Sequence, residues 1–268
     1  MDEADKTQGF GHSKRRVVAE VVGVVVVLGL LVWGGLAAVG AAAGWLVGFA
    51  PVSLDRAIGE AAWSGLAPEE KRCSDPGPKA YVEALAAPLI EAYGGPQTFE
   101  FAVVDEASIN AFALPGGFVT VHMGLLAAAE SGEEVAAVLA HEMRHVTERH
   151  GLRRVARQVG GAVVIGMVFG AVDLGVLGGV ALDLTGRAYD RDEEREADEM
   201  GHALLVEAGI DPGGMARFFE RLAAEGVAVP ELLSTHPGSA ERQAAAAARG
   251  GLDGPARSLP SPAGLRCR

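Results

Sequence analysis

Cysteine is almost missing from the 268 residues: Cys73 and Cys267 are the only two, so no disulfide framework can hold this chain and at most one internal bridge is available. Positive charge is also short. Lys and Arg number 23 against 35 Asp and Glu, and the resulting net charge of -12 argues against a nucleic-acid partner. Charge of either sign all but vanishes from residues 17–50, where Glu20 is the only ionisable side chain. A cleavable signal has an apolar core of roughly 7–15 residues and about 20 suffice to cross a bilayer, so this longer run reads as one transmembrane helix, a signal anchor. A signal peptide cut near Ala41, Ala42 and Ala43 is the competing reading. The basic cluster Lys14, Arg15, Arg16 keeps residues 1–16 in the cytoplasm and exports everything after Pro51, to the periplasm or the cell exterior. Residues 51–77 then form a connector, 78–249 a globular domain, and 250–268 a Pro- and Gly-rich tail. Exported chains meet oxidising conditions, so Cys73 in the connector and Cys267 in the tail either tie these segments together or remain two free thiols.

The chemistry is concentrated in His141-Glu142-Met143-Arg144-His145, the H-E-x-x-H spacing of zinc peptidases. A helix is expected here, with Ser131 as N-cap and Glu134 completing a capping box. At about 100° per residue, His141 and His145 share one face while Val135, Leu139, Met143 and Val146 take the opposite, core-facing side. Both imidazoles can then reach one ion. Glu142, on the shoulder between the faces, can take a proton from metal-bound water without being a ligand. The motif lacks a third ligand. A metzincin would place glycine at 148 and histidine at 151, where this chain has Glu148 and Gly151. The remaining common solution is a carboxylate from a second helix, and residues 190–198 offer one. Glu194 and Asp198 are four apart on one face, so Glu194 could bind zinc while Asp198 holds the free ring nitrogen of a liganding histidine. The alternative is a solvated acidic helix face, the reading preferred for Glu193, Glu196 and Glu199.

His141 to His145, followed by Glu194-Arg195-Glu196-Ala197-Asp198-Glu199-Met200-Gly201, resembles the gluzincins of peptidase family M48, HtpX- and BepA-like enzymes, nearest the periplasmic BepA type. Four further stretches match: Asn110-Ala111-Phe112-Ala113-Leu114-Pro115-Gly116-Gly117, Gly124-Leu125-Leu126, Ala208-Gly209-Ile210-Asp211-Pro212 and Ser234-Thr235-His236-Pro237. The resemblance implies an α+β fold, a mostly helical zincin-like metallopeptidase domain with a small sheet. It implies one Zn2+ per chain held by His141, His145 and Glu194, with Glu142 as general base and Asp198 behind a ligand. In the family an edge strand before the zinc helix pairs with the extended substrate backbone, which brings Asn110, Phe112, Pro115, Gly116 and Gly117 near a protein or peptide substrate. The loop of His236 borders the site, where this histidine would hydrogen-bond a developing oxyanion or occlude the zinc. The implied activity is endopeptide hydrolysis of exported or envelope proteins in quality control. A different class, a membrane-anchored holdase or scaffold that keeps the zinc fold without cutting, is the alternative. The tetratricopeptide repeats of the BepA type have no counterpart in this sequence, so partner recognition by them is not expected, and nothing in the residues reads out an oligomeric state.

The rest of the chain supplies scaffold. Residues 79–93 carry an apolar stripe at helical spacing, with Pro88 predicting a kink or break and Gly94-Gly95-Pro96 a stop. Residues 98–105, 111–114 and 118–121 read as strands, the last two joined by Pro115-Gly116-Gly117. His122, His150 and His202 are expected at the surface. Residues 160–184 form a second apolar run, yet His145 precedes it and Glu194 follows, so an odd number of membrane crossings would leave these ligands of one ion on opposite sides of the bilayer. Two crossings need about 40 apolar residues, so the run is expected to be a hydrophobic insert or lid on the domain. Asp211-Pro212 starts another helix, and 239–249 reads as the last.

Overall fold

The computed structural model describes residues 14–160, 163, 166, 189–226, 236, 250–252 and 254–267. Most of the N-terminal arm, nearly all of the 160–184 insert and the expected 239–249 helix lie outside the described residues.

Helix α1 (Lys14–Val47) begins on the basic cluster. Its 34 residues rise about 50 Å at 1.5 Å each, more than the roughly 30 Å of a bilayer's hydrocarbon. The stretch Arg16–Gly35 is long and apolar enough to cross a membrane. Val25, Leu31 and Trp33 on it are all more than 60% exposed, an apolar surface of the kind that marks a membrane or protein contact. Helix α2 (Val52–Leu66) follows, then a 3-10 turn (Glu69–Lys71) and α3 (Pro76–Tyr93). Asp75 caps α3 by accepting the Gly77 N–H at 2.8 Å. Of the kink or break expected at Pro88, the break does not occur: α3 runs unbroken through it. An interior proline costs about 3 kcal/mol, but Tyr81, Val82, Leu85 and Leu89 are buried on both sides of it, at about 1.5–3 kcal/mol per large side chain.

Three strands make one sheet in the order β1-β3-β2: β1 (Glu100–Val104), β2 (Ala111–Leu114) and β3 (Phe118–His122). β1 lies parallel to β3 and β2 antiparallel to it. Both faces are covered, so the strands read as continuous apolar runs. Phe101, Val103, Val119 and Val121 join the larger core, with α3 and the helices that follow the sheet. Ala102, Val104 and Phe118 join a second core with α2 and the end of α1. Thr120, buried among these, accepts the Trp63 indole N–H at 2.9 Å.

After the sheet come α4 (Met123–Ala128), α5 (Gly132–Thr147), α6 (His150–Val159), α7 (Arg191–Glu207) and α8 (Gly214–Ala224). Ser131 caps α5 as expected, but the Glu134 carboxylate takes the Glu130 N–H at 2.9 Å and also meets Arg221 of α8 at 2.9 Å. The full capping box belongs to α7, between Asp190 and Glu193. α5 and α7 cross closely at Gly201, where a Cβ would stand 3.3 Å from the His141 nitrogen.

Two ties hold distant segments to this frame. Arg149, between α5 and α6, has φ 57, a left-handed backbone rare for a side-chain-bearing residue. Its guanidinium donates to the Val47 and Ala50 carbonyls at 2.8 and 2.9 Å and to both oxygens of the buried Asp55 carboxylate. The end of α1 is thereby clamped to the end of the zinc-motif helix. Cys73 and Cys267 form a disulfide, and the tail lies along the domain: Tyr81 Oη donates to the Pro260 carbonyl at 3.0 Å and the Arg257 N–H to the Gly209 carbonyl at 2.7 Å.

Candidate active site and metal centre

α5 presents His141 and His145 one turn apart, α7 presents Glu194 and Asp198, and His236 enters from a third segment. The ligand atoms of His141, His145, Glu194 and His236 all lie within 4.8 Å of one another, and all four residues are buried. His141 Nε2 is 3.0 Å from His145 Nε2 and 3.2 Å from His236 Nδ1. Glu194 Oε1 is 2.6 Å from His236 Nδ1 and 3.4 Å from His145 Nε2. On the far side of the His141 ring, Asp198 Oδ1 stands 2.9 Å from Nδ1.

Three imidazole nitrogens and one carboxylate turned toward a common centre suit a divalent transition ion, with zinc's preference for nitrogen and oxygen donors in four-fold array. Electrostatics favour the ligand forms. Burial lowers the His145 pKa well below that of an ordinary histidine and keeps the ring neutral. Burial alone would raise the Glu194 pKa, but the His145, His236 and His141 rings that face it prevail and hold it well below the usual carboxylate range, as an anion.

Glu142 is 1% exposed. Burial raises its pKa, opposed by His236 and His141, and the backbone N–H of Ala113 in β2 donates to it. One carboxylate oxygen lies 3.4 Å from His236 Nε2. A buried carboxylate with raised proton affinity, beside the donor cluster yet outside it, has the properties of a general base.

Among the described residues β2 is an edge of the sheet. Asn110, at its start, is buried with Oδ1 lacking a hydrogen-bond partner. Phe112 is half-buried, edge-on to His122. Pro115, Gly116 and Gly117 form the buried β2–β3 turn. At Gly117, with φ 94, a Cβ would meet the Thr98 carbonyl oxygen at 1.8 Å, and at Gly116, with φ 80, the Arg56 Cα at 2.3 Å. Backbone geometry and close packing account for both glycines.

Three expectations are corrected. His150 is fully buried, with Nδ1 2.9 Å from His145 Nδ1 and Nε2 3.0 Å from Glu196 Oε2. Glu193 is 5% exposed and meets Arg157 at 2.7 Å, and Glu196 is engaged by His150, so neither belongs to an idle solvated face. His122 is half-buried, with Nδ1 2.7 Å from Ser108 Oγ. His202 meets the Gly250 carbonyl at 3.0 Å in an exposed position. Tyr189 escaped the sequence reading altogether: its ring stacks on His145 with centroids 3.9 Å apart, and the Arg154 guanidinium sits 4.6 Å from its centroid. No spacing links Tyr189 to the motif; only the fold brings it there.

Residues 76–249 match the family model described as Peptidase family M48. The chain belongs to this family. Against curated relatives, this M48 chain is 32% identical over 187 residues to the beta-barrel assembly-enhancing protease of Escherichia coli K12, covering 61% of this chain and 37% of the relative. It is 32% identical over 146 residues to the mitochondrial metalloendopeptidase OMA1 of Arabidopsis thaliana, covering 54% and 30% respectively. With the metalloprotease LoiP of Escherichia coli K12 it shares 32% identity over 159 residues, covering 54% of this chain and 60% of LoiP. The chain thus spans little more than a third of the length of the beta-barrel assembly-enhancing proteases it matches. Its α+β, mostly helical fold with a small sheet and its buried His and Glu cluster are those of an M48 metallopeptidase.

Proposed function

We propose that this M48 chain is a membrane-anchored zinc endopeptidase that cuts exported or envelope proteins. The observation that carries the reading is the convergence at Glu142: a buried carboxylate touching both the His and Glu cluster and the N–H of an edge strand. His141, His145 and Glu194 would hold one zinc per chain, with Asp198 fixing the His141 ring. Bound zinc supplies an acidified water and polarises the scissile carbonyl. Glu142 takes the water's proton and passes it to the leaving amine. The outer edge of β2 would receive the substrate backbone as an added strand, with Phe112 on it and Asn110 just before it. His236, a fourth donor beside Glu142, would close the centre in the present arrangement and open it by withdrawing. The basic residues before α1 would leave the N-terminus in the cytoplasm and the domain outside. The E. coli and Arabidopsis relatives are named for β-barrel assembly and for a mitochondrial location, which supports quality control of membrane-associated proteins as the setting.

The test compares wild type with Glu142→Gln in zinc content and in cleavage of an unfolded protein. Both should hold one zinc, and the variant should cleave about 10²–10⁴ times more slowly, the usual loss on removing a general base. His236→Ala, assayed beside them, exposes a closed enzyme. If neither wild type nor His236→Ala cuts, while Glu142→Gln suppresses aggregation as well as they do, the holdase reading replaces this one.

A further inference from the structure

We propose that His150 and Glu196 are positioning residues that set the ring-hydrogen placement of His145, a relay reaching the metal centre from behind. The inference rests on His145 being a ligand, as argued above, and concerns two residues outside that ligand set.

A carboxylate only accepts, so the 3.0 Å contact between Glu196 Oε2 and His150 Nε2 places a hydrogen on that nitrogen. With one ring hydrogen so placed, His150 Nδ1 is an acceptor. The 2.9 Å contact between the two Nδ1 atoms then requires His145 to donate. His145 Nε2 is left with its lone pair, and this is the atom that converges with His141 Nε2 and the Glu194 carboxylate on the proposed ion, so these lone pairs face the metal position and are not hydrogen-bonded to one another. The opposite arrangement would put a hydrogen on Nε2, where a metal cannot bind. The ring behind a metal-bound imidazole usually meets a carboxylate or carbonyl directly; here a second imidazole is interposed, and the carboxylate stands one residue further out.

The packing holds the relay still. His150 is 0% exposed. The left-handed backbone of Arg149 turns the chain between α5 and α6 and brings His150 back over His145. Arg153 Nη1, 3.6 Å from Glu196 Oε2, anchors the outer end, while Tyr189 stacks flat on the His145 ring. The ring plane is thus fixed by stacking and its hydrogen by His150.

The experiment uses the full chain in detergent and reads zinc affinity by chelator competition, together with the His145 ring N–H resonance in the zinc-loaded, 15N-histidine-labelled protein. His150→Leu removes the acceptor and should weaken zinc binding about 10–100-fold, the range seen when such outer partners are lost, with the His145 N–H signal broadened by solvent exchange. His150→Asn places an oxygen where Nδ1 was and should restore most of the affinity and the signal, which a purely space-filling role would not predict. Glu196→Ala, at a side chain 42% exposed and so safe for folding, should fall near the lower end, about 10-fold. If His150→Leu fails to fold, His150→Asn and Glu196→Ala carry the test. Wild-type affinity and an unchanged N–H signal in Glu196→Ala, or equal loss in the Asn and Leu variants, overturn the relay while leaving the zinc reading intact. A wild-type protein that takes up no zinc overturns the metal reading itself, and the relay with it.

Discussion

Replacing Arg149 with Met should unfold the junction between anchor and domain, because Asp55 has nowhere to discharge. Its side chain is 2% exposed and is met by two nitrogens of Arg149. Removing one partner of a buried ion pair costs about 3–5 kcal/mol, most of it the penalty of a stranded charge. The Val47 and Ala50 carbonyls also lose their donor, but they close a helix end that water can reach and add little. The left-handed strain at position 149, about 1–2 kcal/mol, stays in the Met variant and offsets nothing. The expected loss is therefore about 3–5 kcal/mol, and Asp55→Leu combined with Arg149→Met should recover most of it, since an apolar pair of similar volume is often as stable as the ions. Urea unfolding of the full chain in micelles, followed by circular dichroism over the four variants of the cycle, measures the coupling. An Arg149→Met loss below about 1 kcal/mol, or strict additivity of the two substitutions, would refute the reasoning.

Cys73→Ser, or reduction of wild type, should lower stability by about 2–5 kcal/mol in the same unfolding experiment, because the bridge closes a loop with a sequence separation of 194. Glu194→Gln should lose most of its zinc by elemental analysis, since the carboxylate faces three imidazoles, while Glu199→Gln should retain it. At Asp211, burial pushes the pKa up, but the Gly213 N–H and Arg217 outweigh it and the carboxyl ends below its ordinary value. Its contribution is therefore present at neutral pH and disappears as pH falls through the carboxylate range. Asp211→Asn should cost less than about 1 kcal/mol at pH 7 and nothing below about pH 3, read from melting curves at the two pH values. Gly201→Val should weaken zinc binding by pushing α7 away from His141, read by chelator competition.

Local patterns carried much of this structure. The spacing of His141 and His145, the cap at Ser131, the strands around Pro115-Gly116-Gly117 and the apolar run of α1 are all periodic or punctuated features, legible one segment at a time. Glu194 and Asp198 were legible because four-residue spacing survives within a helix. His150 was not, since the helical wheel that places His145 stops at Arg149, where the backbone turns left-handed. Tyr189 stacks on His145 across a long sequence gap, and the Arg149–Asp55 pair joins residues 94 apart; such contacts exist only after the chain has folded. At Pro88 the helix does not break, because core packing along α3 outweighs local propensity.

If α1 crosses the membrane as proposed, its surplus length sets a working height. With Arg16–Gly35 as the span, the helix continues to Val47, rising about 18 Å further at 1.5 Å per residue. Arg149 then binds that end to the terminus of α5, and His145 lies one turn inside. On the proposed anchoring the blade would have a fixed stand-off, close to the membrane but clear of it. A chain lying flat on the lipid headgroups would pass beneath it. A substrate anchored in the same bilayer would need about five or six extended residues, at roughly 3.3 Å each, between its own span and the bond to be cut. Selection by such an enzyme would act less through side-chain pockets than through how far a loosened chain stands up from the surface.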